Sequence, residues 1–296
     1  MNLAFDDTRS KLRRSSIPDN ETVHYEAVAR QEIEALRSIS SITQVHQVSN
    51  SVSFASLANI FAAPTRGDFP EPRHLWLSST FECAAEYEAF KFIAPIAGKT
   101  VLQVGGKGTE AVRMILAGAK SAHLVSPVQA ELDCAHELAR LCGVTIESKL
   151  GLAENLPYAN ETFDVIYAAG SAHHFETKEA FPEIYRALRN GGRFAAIDPW
   201  LGPFYKLGIR IFGKREKGVN CRPLDKERLS TFGDVFRETK VQQFGTFTRY
   251  PMIAVCQMGW LLPLAAVWWF MKVDDSISTF LRLRQWGSCA AILAEK

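Results

Sequence analysis

Between residues 98 and 199, short apolar runs alternate with amphipathic helical patterns, and this alternation restricts the fold more than any other feature of the chain. Strands joined through helices need crossover connections, which are right-handed in nearly all proteins and build a parallel sheet covered on both faces. We therefore predict a doubly wound α/β fold. The predicted strands cover residues 100–104, 121–125, 144–148, 163–168 and 192–198, and the predicted helices cover residues 109–118, 129–141 and 178–189.

The segments that flank this core carry other patterns. Residues 1–22 are polar, which predicts a mobile N-terminal arm. Residues 23–97 are predicted to form an N-terminal helical segment, and the α/β domain is predicted to cover residues 98–296. Apolar periodicity predicts helices at residues 21–37 and 81–96, and two late strands at residues 241–247 and 287–294.

A glycine turn follows the first predicted strand and opens the first core helix. Gly105, Gly106 and Gly108 allow the backbone to turn tightly and to approach a ligand. A plain strand–helix turn has the same composition, so this motif alone leaves both interpretations open. A dinucleotide site would need an acid near 20 residues further on, where Ser126 stands instead. A P-loop is excluded because Lys107 is followed by glycine rather than by serine or threonine.

Two longer strings carry more information than the glycine turn. GLAENLPYANETFDVIYAAGSAHHF covers residues 151–175, and EIYRALRNGGRFAAIDP covers residues 183–199. Their order and spacing resemble the class I S-adenosylmethionine (SAM) dependent methyltransferases, in particular the branch of quinone and sterol methyltransferases. The resemblance implies a Rossmann-like seven-stranded sheet closed by the two late strands, with N-terminal helices and an apolar helical insertion at about residues 250–285. It also implies SAM as the cofactor.

The resemblance assigns positions around the cofactor. Gly105 and its neighbours would lie at the methionine part of SAM and Ser126 at the ribose. Ala153 and Glu154 would lie near the adenine, and Ala169 and Gly170 near the sulfonium end. The family usually carries acids at the ends of the first and second strands and after the third, where this chain has Gln103, Ser126 and Leu152. A serine replaces only part of the hydrogen bonding of a carboxylate. The implied cofactor residues are Gln103, Gly105, Gly106, Gly108, Ser126, Ala153, Glu154, Ala169 and Gly170.

Two functions follow from this pattern. The first is a SAM-dependent methyltransferase that acts on a small or lipid-like apolar acceptor. The alternative is a protein that keeps the fold but has lost SAM use and serves as a binding or assembly subunit, because three acids are replaced together. A nicotinamide-dependent reductase is a third and more distant hypothesis.

His173 and His174 are the candidate general bases, because neutral imidazole accepts protons near neutral pH. A pocket-shaping role for the pair is the alternative. Asp198 ends the fifth predicted strand, where it could orient a substrate or cap the next turn, and capping is the preferred interpretation.

Composition excludes several classes of partner and site. The formal net charge of +2 gives no reason to expect nucleic-acid binding. The six cysteines are scattered, which predicts no metal site and indicates reduced thiols in a cytoplasmic protein.

Residues 251–271 contain no charged side chain and are long enough to cross a bilayer. Pro251, Gln257 and Pro263 interrupt this run, and the last strand must return to the sheet, so we predict one or two helices that do not span a membrane. Three roles stay open for the segment: a lid over an apolar substrate, a peripheral membrane contact, or an interface with a protein partner.

Overall fold

The computed structural model describes residues 19–37, 83–212, 222–258 and 264–296. The predicted arm up to residue 18, residues 38–82 of the predicted helical segment and residues 259–263 of the apolar run lie outside this description. The helices are α1 (Asp19–Arg37), α2 (Cys83–Ile93), α3 (Thr109–Leu116), α4 (Gln129–Leu141), α5 (Thr177–Ala187), α6 (Tyr205–Phe212), α7 (Phe232–Val235), α8 (Arg249–Gln257) and α9 (Leu264–Phe280). The strands are β1 (Thr100–Val104), β2 (Ser121–Ser126), β3 (Glu147–Leu150), β4 (Phe163–Ala169), β5 (Leu188–Pro199), β6 (Glu238–Phe244) and β7 (Cys289–Glu295).

The described strands form one seven-stranded sheet in the order β3-β2-β1-β4-β5-β7-β6. Strands β1 to β5 pair in parallel, whereas β7 lies antiparallel between β5 and β6. The chain moves outward in one direction from β1 to β3 and in the other direction from β4 onward. The doubly wound fold and its closing strands are therefore confirmed, and the order of strands reverses between β1 and β4, where such sheets bind ligands.

The central strands are apolar because helices cover both faces of the sheet. Four consecutive residues of β1, from Val101 to Val104, are buried. One apolar cluster packs α2, α3 and α4 against one face, and a second cluster packs α5 and α7 against the other. Helix α1 joins the first cluster through Ile33 and Leu36, and its Ala29 packs against Val128 and Ala130 at the start of α4.

Several predicted boundaries need correction. The helix predicted at residues 178–189 covers Thr177–Ala187, because strand β5 already begins at Leu188 rather than at residue 192. Strand β3 covers Glu147–Leu150 rather than residues 144–148. The Val144 N–H donates to the Ala139 carbonyl in the last turns of α4, and only residues 147–150 pair with β2. Strand β6 covers Glu238–Phe244 rather than residues 241–247, since these residues pair with β7.

At the N-terminal side, α2 ends at Ile93 rather than at residue 96, since Pro95 has no N–H to continue the helix. Helix α1 begins at Asp19, so the predicted arm boundary at residue 22 falls inside this helix.

The apolar run enters two helices, α8 and α9. Met252 and Met271 anchor them in the core cluster on the α2 side of the sheet. No helix within the described ranges has both the length and the apolar content that a membrane crossing requires.

Candidate functional site

A cavity of about 250 Å³ lies at the carboxyl ends of β1, β2 and β4. Its wall comes from residues 104–107, from positions within 125–131, from residues 151–154 and from positions within 170–175. Tyr25 and Val28 of α1 complete the wall. The cavity therefore lies at the reversal of strand order, and an N-terminal helix closes one side of it.

The predicted cofactor residues divide into two groups. Five of them are part of the cavity wall: Gly105, Gly106, Ala153, Glu154 and Gly170. The other four are described by the structure but are not part of that wall: Gln103, Gly108, Ser126 and Ala169.

The glycine loop brings backbone to the cavity surface. Gly105 and Gly106 have φ angles of 78° and 76°, a region that glycine enters without strain. A Cβ on Gly105 would lie 2.6 Å from the Cβ of Ser171, whose hydroxyl donates a 2.7 Å hydrogen bond to the Val104 carbonyl. The loops after β1 and β4 therefore meet closely, and only glycine fits at this contact.

Gln103 supports the loop from behind the wall. Its side-chain oxygen accepts the Ala111 N–H at 2.8 Å, and its amide nitrogen donates to the Gly105 carbonyl at 2.9 Å. Both ends of this amide are thus engaged with the protein backbone. Gln103 thus holds the loop against the start of α3, and a direct contact of Gln103 with the cofactor stays a prediction.

Ser126 also turns away from the cavity. Its hydroxyl donates to the Glu131 carboxylate at 2.6 Å and accepts the Val128 N–H at 3.1 Å. Glu131, in the first turn of α4, does line the cavity, and the backbone N–H of Gly106 lies near enough to its carboxylate to favour the charged form. Burial raises the pKa of Glu131, whereas the Ser126 hydroxyl, the Lys107 ammonium and the Gly106 N–H act to lower it.

Lys107 links the glycine loop to α1. Its ammonium forms an ion pair with the carboxylate of Glu32, so it does not simply point to solvent as its flexible stem suggests. Lys107 is part of the cavity wall, as is Tyr25 of the helix that carries Glu32. Helix α1, predicted as part of a separate segment, is therefore attached to the site.

The loop after β3 supplies the opposite wall. Leu152 and Ala153 present apolar surface, and a bridge between Leu152 and Asn155 closes the turn. The Glu154 carboxylate accepts the N–H of Glu176 at 2.6 Å, just before α5. This region offers a planar ligand apolar contact from residues 152 and 153, with a carboxylate at its edge.

His174 reaches the cavity, and its ring contacts two groups of α1. Its Nε2 lies 3.0 Å from the Tyr25 hydroxyl, and its Nδ1 lies 3.2 Å from the Glu21 carboxylate. Burial lowers the pKa of His174 to about 3, and the positive charges of His173, Arg222 and Arg228 act in the same direction. The imidazole is therefore neutral at neutral pH, but so low a pKa does not favour a general base.

His173 lies beside the cavity rather than on its wall, within the described chain. Its Nδ1 is 2.7 Å from the carboxylate of Asp198, which also accepts the His173 N–H at 3.0 Å and the Ala172 N–H at 3.3 Å. Asp198 thus caps the turn that follows β4, not the turn after its own strand. Catalytic roles for His173 and His174 remain predictions.

Sequence reasoning missed several wall residues. Glu131 stands five residues after the strand end, on a helix predicted with correct bounds, so its position in the first helical turn was a usable signal. Ser171 follows a predicted site glycine directly. Tyr25 and Val28 carried no such signal, because their contact with the cavity depends on how α1 packs.

Part of this chain resembles known proteins. Residues 102–196 match the family model described as a methyltransferase domain. Over this segment the chain is similar to the class I SAM-dependent methyltransferases. The matched segment contains most of β1, all of β2 to β4 and most of β5, the strands that position the cavity.

Two curated methyltransferases show the extent of the similarity. The 2-methyl-6-phytyl-1,4-hydroquinone methyltransferase 2 of rice is 37% identical over 95 residues, which are 30% of this chain and 27% of the rice protein. An uncharacterised methyltransferase of Mycobacterium bovis is 30% identical over 149 residues, or 49% of this chain and 59% of that protein. The matched regions thus span between about a quarter and three fifths of these relatives.

Among solved structures, geranyl diphosphate C-methyltransferase from Streptomyces coelicolor has a TM-score of 0.50 and 17% identity. The alignment covers 72% of this chain and 75% of that protein. This likeness supports the methyltransferase fold.

Proposed function

We propose that the protein is a methyltransferase that binds SAM in the cavity at the carboxyl ends of β1, β2 and β4. The observation that carries the proposal is the placement of the glycine loop, with Gly105 and Gly106 on the wall, at the reversal of strand order. Bound there, SAM would supply an activated methyl group for transfer to a nucleophilic acceptor.

The residues present fit such a cofactor. Gly105 and Gly106 present backbone without a side chain at the cavity wall, which allows a ligand to approach the backbone closely. Leu152 and Ala153 provide apolar surface for a purine ring, and Gly170 opens space beyond β4 because nothing lies within 4 Å of a Cβ built there. These features support SAM binding despite the replaced acids.

The chain itself orients the ligands rather than moving protons through His174. The neutral imidazole of His174 lies between Tyr25 and Glu21, so that it fixes α1 over the cavity and helps to exclude water. Methyl transfer is a displacement that depends mainly on the alignment of the reacting groups. A rigid wall of this kind is suited to that task.

Calorimetric titration of the full chain with SAM and with S-adenosylhomocysteine tests the proposal. We expect binding of both ligands. The absence of heat and of a thermal shift at millimolar ligand would refute the proposal and favour the alternative of an assembly subunit that does not use SAM.

We propose further that the acceptor is small or lipid-like and apolar, and that the protein meets it at an anionic membrane surface. The printed name of the rice relative describes a phytyl-substituted hydroquinone as its substrate, which is the chemical class in question. Among the described residues of 249–280 none lines the cavity, so a membrane-facing role for this region is preferred to a lid.

Exposed apolar side chains on α9 support a lipid contact. At about 100° per residue, Trp269, Phe270, Ile277 and Phe280 project within roughly a third of the helix circumference. Trp269 is 60% exposed and Phe280 is 86% exposed. Apolar faces of this kind favour association with lipid or protein, because burial removes them from water.

A second exposed stripe runs along α6. Phe204, Leu207 and Ile211 follow at intervals of three and four residues and are all exposed. Phe204 contacts Trp286, which lies in the turn before β7. Lys206 and Arg210 are exposed on the same helix, where no acid is present. This combination of apolar and basic groups favours an anionic lipid surface over an uncharged one.

Sedimentation with vesicles tests the membrane contact. We expect the wild type to bind vesicles that contain anionic lipid and to bind zwitterionic vesicles less. The double substitution Trp269→Ser and Phe280→Ser should abolish binding, whereas Val23→Ser, which removes an exposed apolar side chain of α1, should not. Wild type that stays in the supernatant with both vesicle types would refute this part of the proposal.

A further inference from the structure

The end of β2 lacks the acid that the family resemblance leads one to expect. Ser126 occupies that position, is fully buried, and uses its hydroxyl proton on Glu131 and its oxygen on the Val128 N–H. Its single proton is therefore directed away from the cavity. Ser126 is poorly placed to bind a ligand, yet it is well placed to orient a neighbour.

Glu131 is that neighbour. It lies in the first turn of α4, is 9% exposed, and lines the cavity between the end of β2 and the glycine loop. A 2.6 Å hydrogen bond from the Ser126 hydroxyl ties its carboxylate to the end of β2, and the Gly106 N–H of the glycine loop favours its charged form. The Lys107 ammonium adds a favourable charge nearby. The carboxylate is thus held in one place before any ligand arrives.

The capacity of this carboxylate matches a diol. Two carboxylate oxygens offer about four acceptor positions. The Ser126 hydroxyl uses one of them and the nearby Gly106 N–H faces the same carboxylate, so that about two remain for a ligand. A ribose presents two hydroxyl donors on adjacent carbons, which is the same number.

We propose that Glu131 binds the ribose hydroxyls of SAM and replaces an acid at position 126, with Ser126 acting as its positioning residue. This inference rests on the proposed binding of SAM. The acid is displaced by five positions in sequence, from the strand end to the first turn of the following helix, but it serves the same cavity.

The first experiment compares two ligands and two variants by calorimetry. Glu131→Gln should weaken S-adenosylhomocysteine binding by about 10- to 100-fold, the range expected for a lost hydrogen bond to a charged group. With the 2′,3′-dideoxy analogue of S-adenosylhomocysteine, the same substitution should have little effect. Glu154→Gln is the matched control, since it changes another cavity carboxylate and should affect both ligands equally.

A swap of the carboxylate gives the second experiment. The double substitution Ser126→Asp and Glu131→Gln should restore a large part of the affinity and of the preference for the ribose hydroxyls. If Glu131→Gln fails to fold, Ser126→Ala is used instead. It keeps the carboxylate, frees it from its anchor, and should weaken only the ligand that carries the hydroxyls.

The outcomes separate the two proposals. A wild type that binds neither SAM nor S-adenosylhomocysteine refutes the proposed function. The role of Glu131 alone is overturned if the wild type binds SAM and S-adenosylhomocysteine but Glu131→Gln does not change their affinity. The same conclusion follows if Glu131→Gln weakens S-adenosylhomocysteine and its dideoxy analogue equally.

Discussion

Gly108 is the position where the structure makes the sharpest stability prediction. It precedes α3 with a φ of 79°, and a Cβ built there would lie 2.3 Å from the Cβ of Ala135 and 3.1 Å from its Cα. The first distance is far inside van der Waals contact, and the second involves helix backbone that cannot rotate away. Substitution to alanine must therefore separate the glycine loop from α4.

The magnitude has two parts. A non-glycine residue in the left-handed region costs about 1–2 kcal/mol, and overpacking a close contact costs about 1–3 kcal/mol. We expect Gly108→Ala to lower the free energy of unfolding by about 2–5 kcal/mol. Gly143 is the matched control, with a φ of 66° and nothing within 4 Å of its built Cβ. Gly143→Ala should cost only the first part, about 1–2 kcal/mol.

Equilibrium urea denaturation of the two variants and the wild type measures both values, provided that the slope with urea stays constant. Adding Ala135→Gly to Gly108→Ala should recover part of the loss, since it removes the atom that the new methyl group meets. Equal losses for Gly108→Ala and Gly143→Ala would refute the reasoning, because they would show that the contact with α4 relaxes without cost.

Two further predictions concern buried charge. The folded pKa of His174, about 3, lies below its unfolded value of 6.5, so only the unfolded chain gains this proton as the pH falls below 6.5. Between pH 7 and pH 5, the free energy of unfolding of the wild type should therefore fall by about 2 kcal/mol more than that of His174→Gln. Denaturation of both proteins at the two pH values measures this difference, and equal losses for the two proteins would contradict the prediction. Arg113 and Glu86 form a fully buried ion pair between α3 and α2, at 2.8 Å. Arg113→Met should lower the free energy of unfolding by about 3–5 kcal/mol, because it removes the charge partner of the buried Glu86 carboxylate. Adding Glu86→Gln should recover most of this loss. If the losses of the two single variants simply add in thermal unfolding, the pair does not act as described.

The sequence was sufficient for the sheet because parallel strands buried on both faces must be apolar along their whole length. Residues 101–104 and 163–168 form two such strands. The helix at residues 129–141 was predicted with the correct bounds because its apolar residues are regularly spaced. The edge strands β3 and β6 were displaced by about three residues, since an edge strand such as Glu147–Leu150 is half exposed and carries a weak pattern.

The chemistry of the cavity depended on tertiary structure. The sequence showed that Gln103 and Ser126 replace acids, but not that both turn into the protein, nor that Glu131 faces the cavity instead. Tyr25 and His174 meet across 149 positions of sequence. Local patterns determine which residues form strands and helices, because burial repeats with the period of each element. The packing of helices such as α1 decides which side chains share a cavity. This packing joins residues that have no periodic relation in the sequence, so local patterns do not predict it.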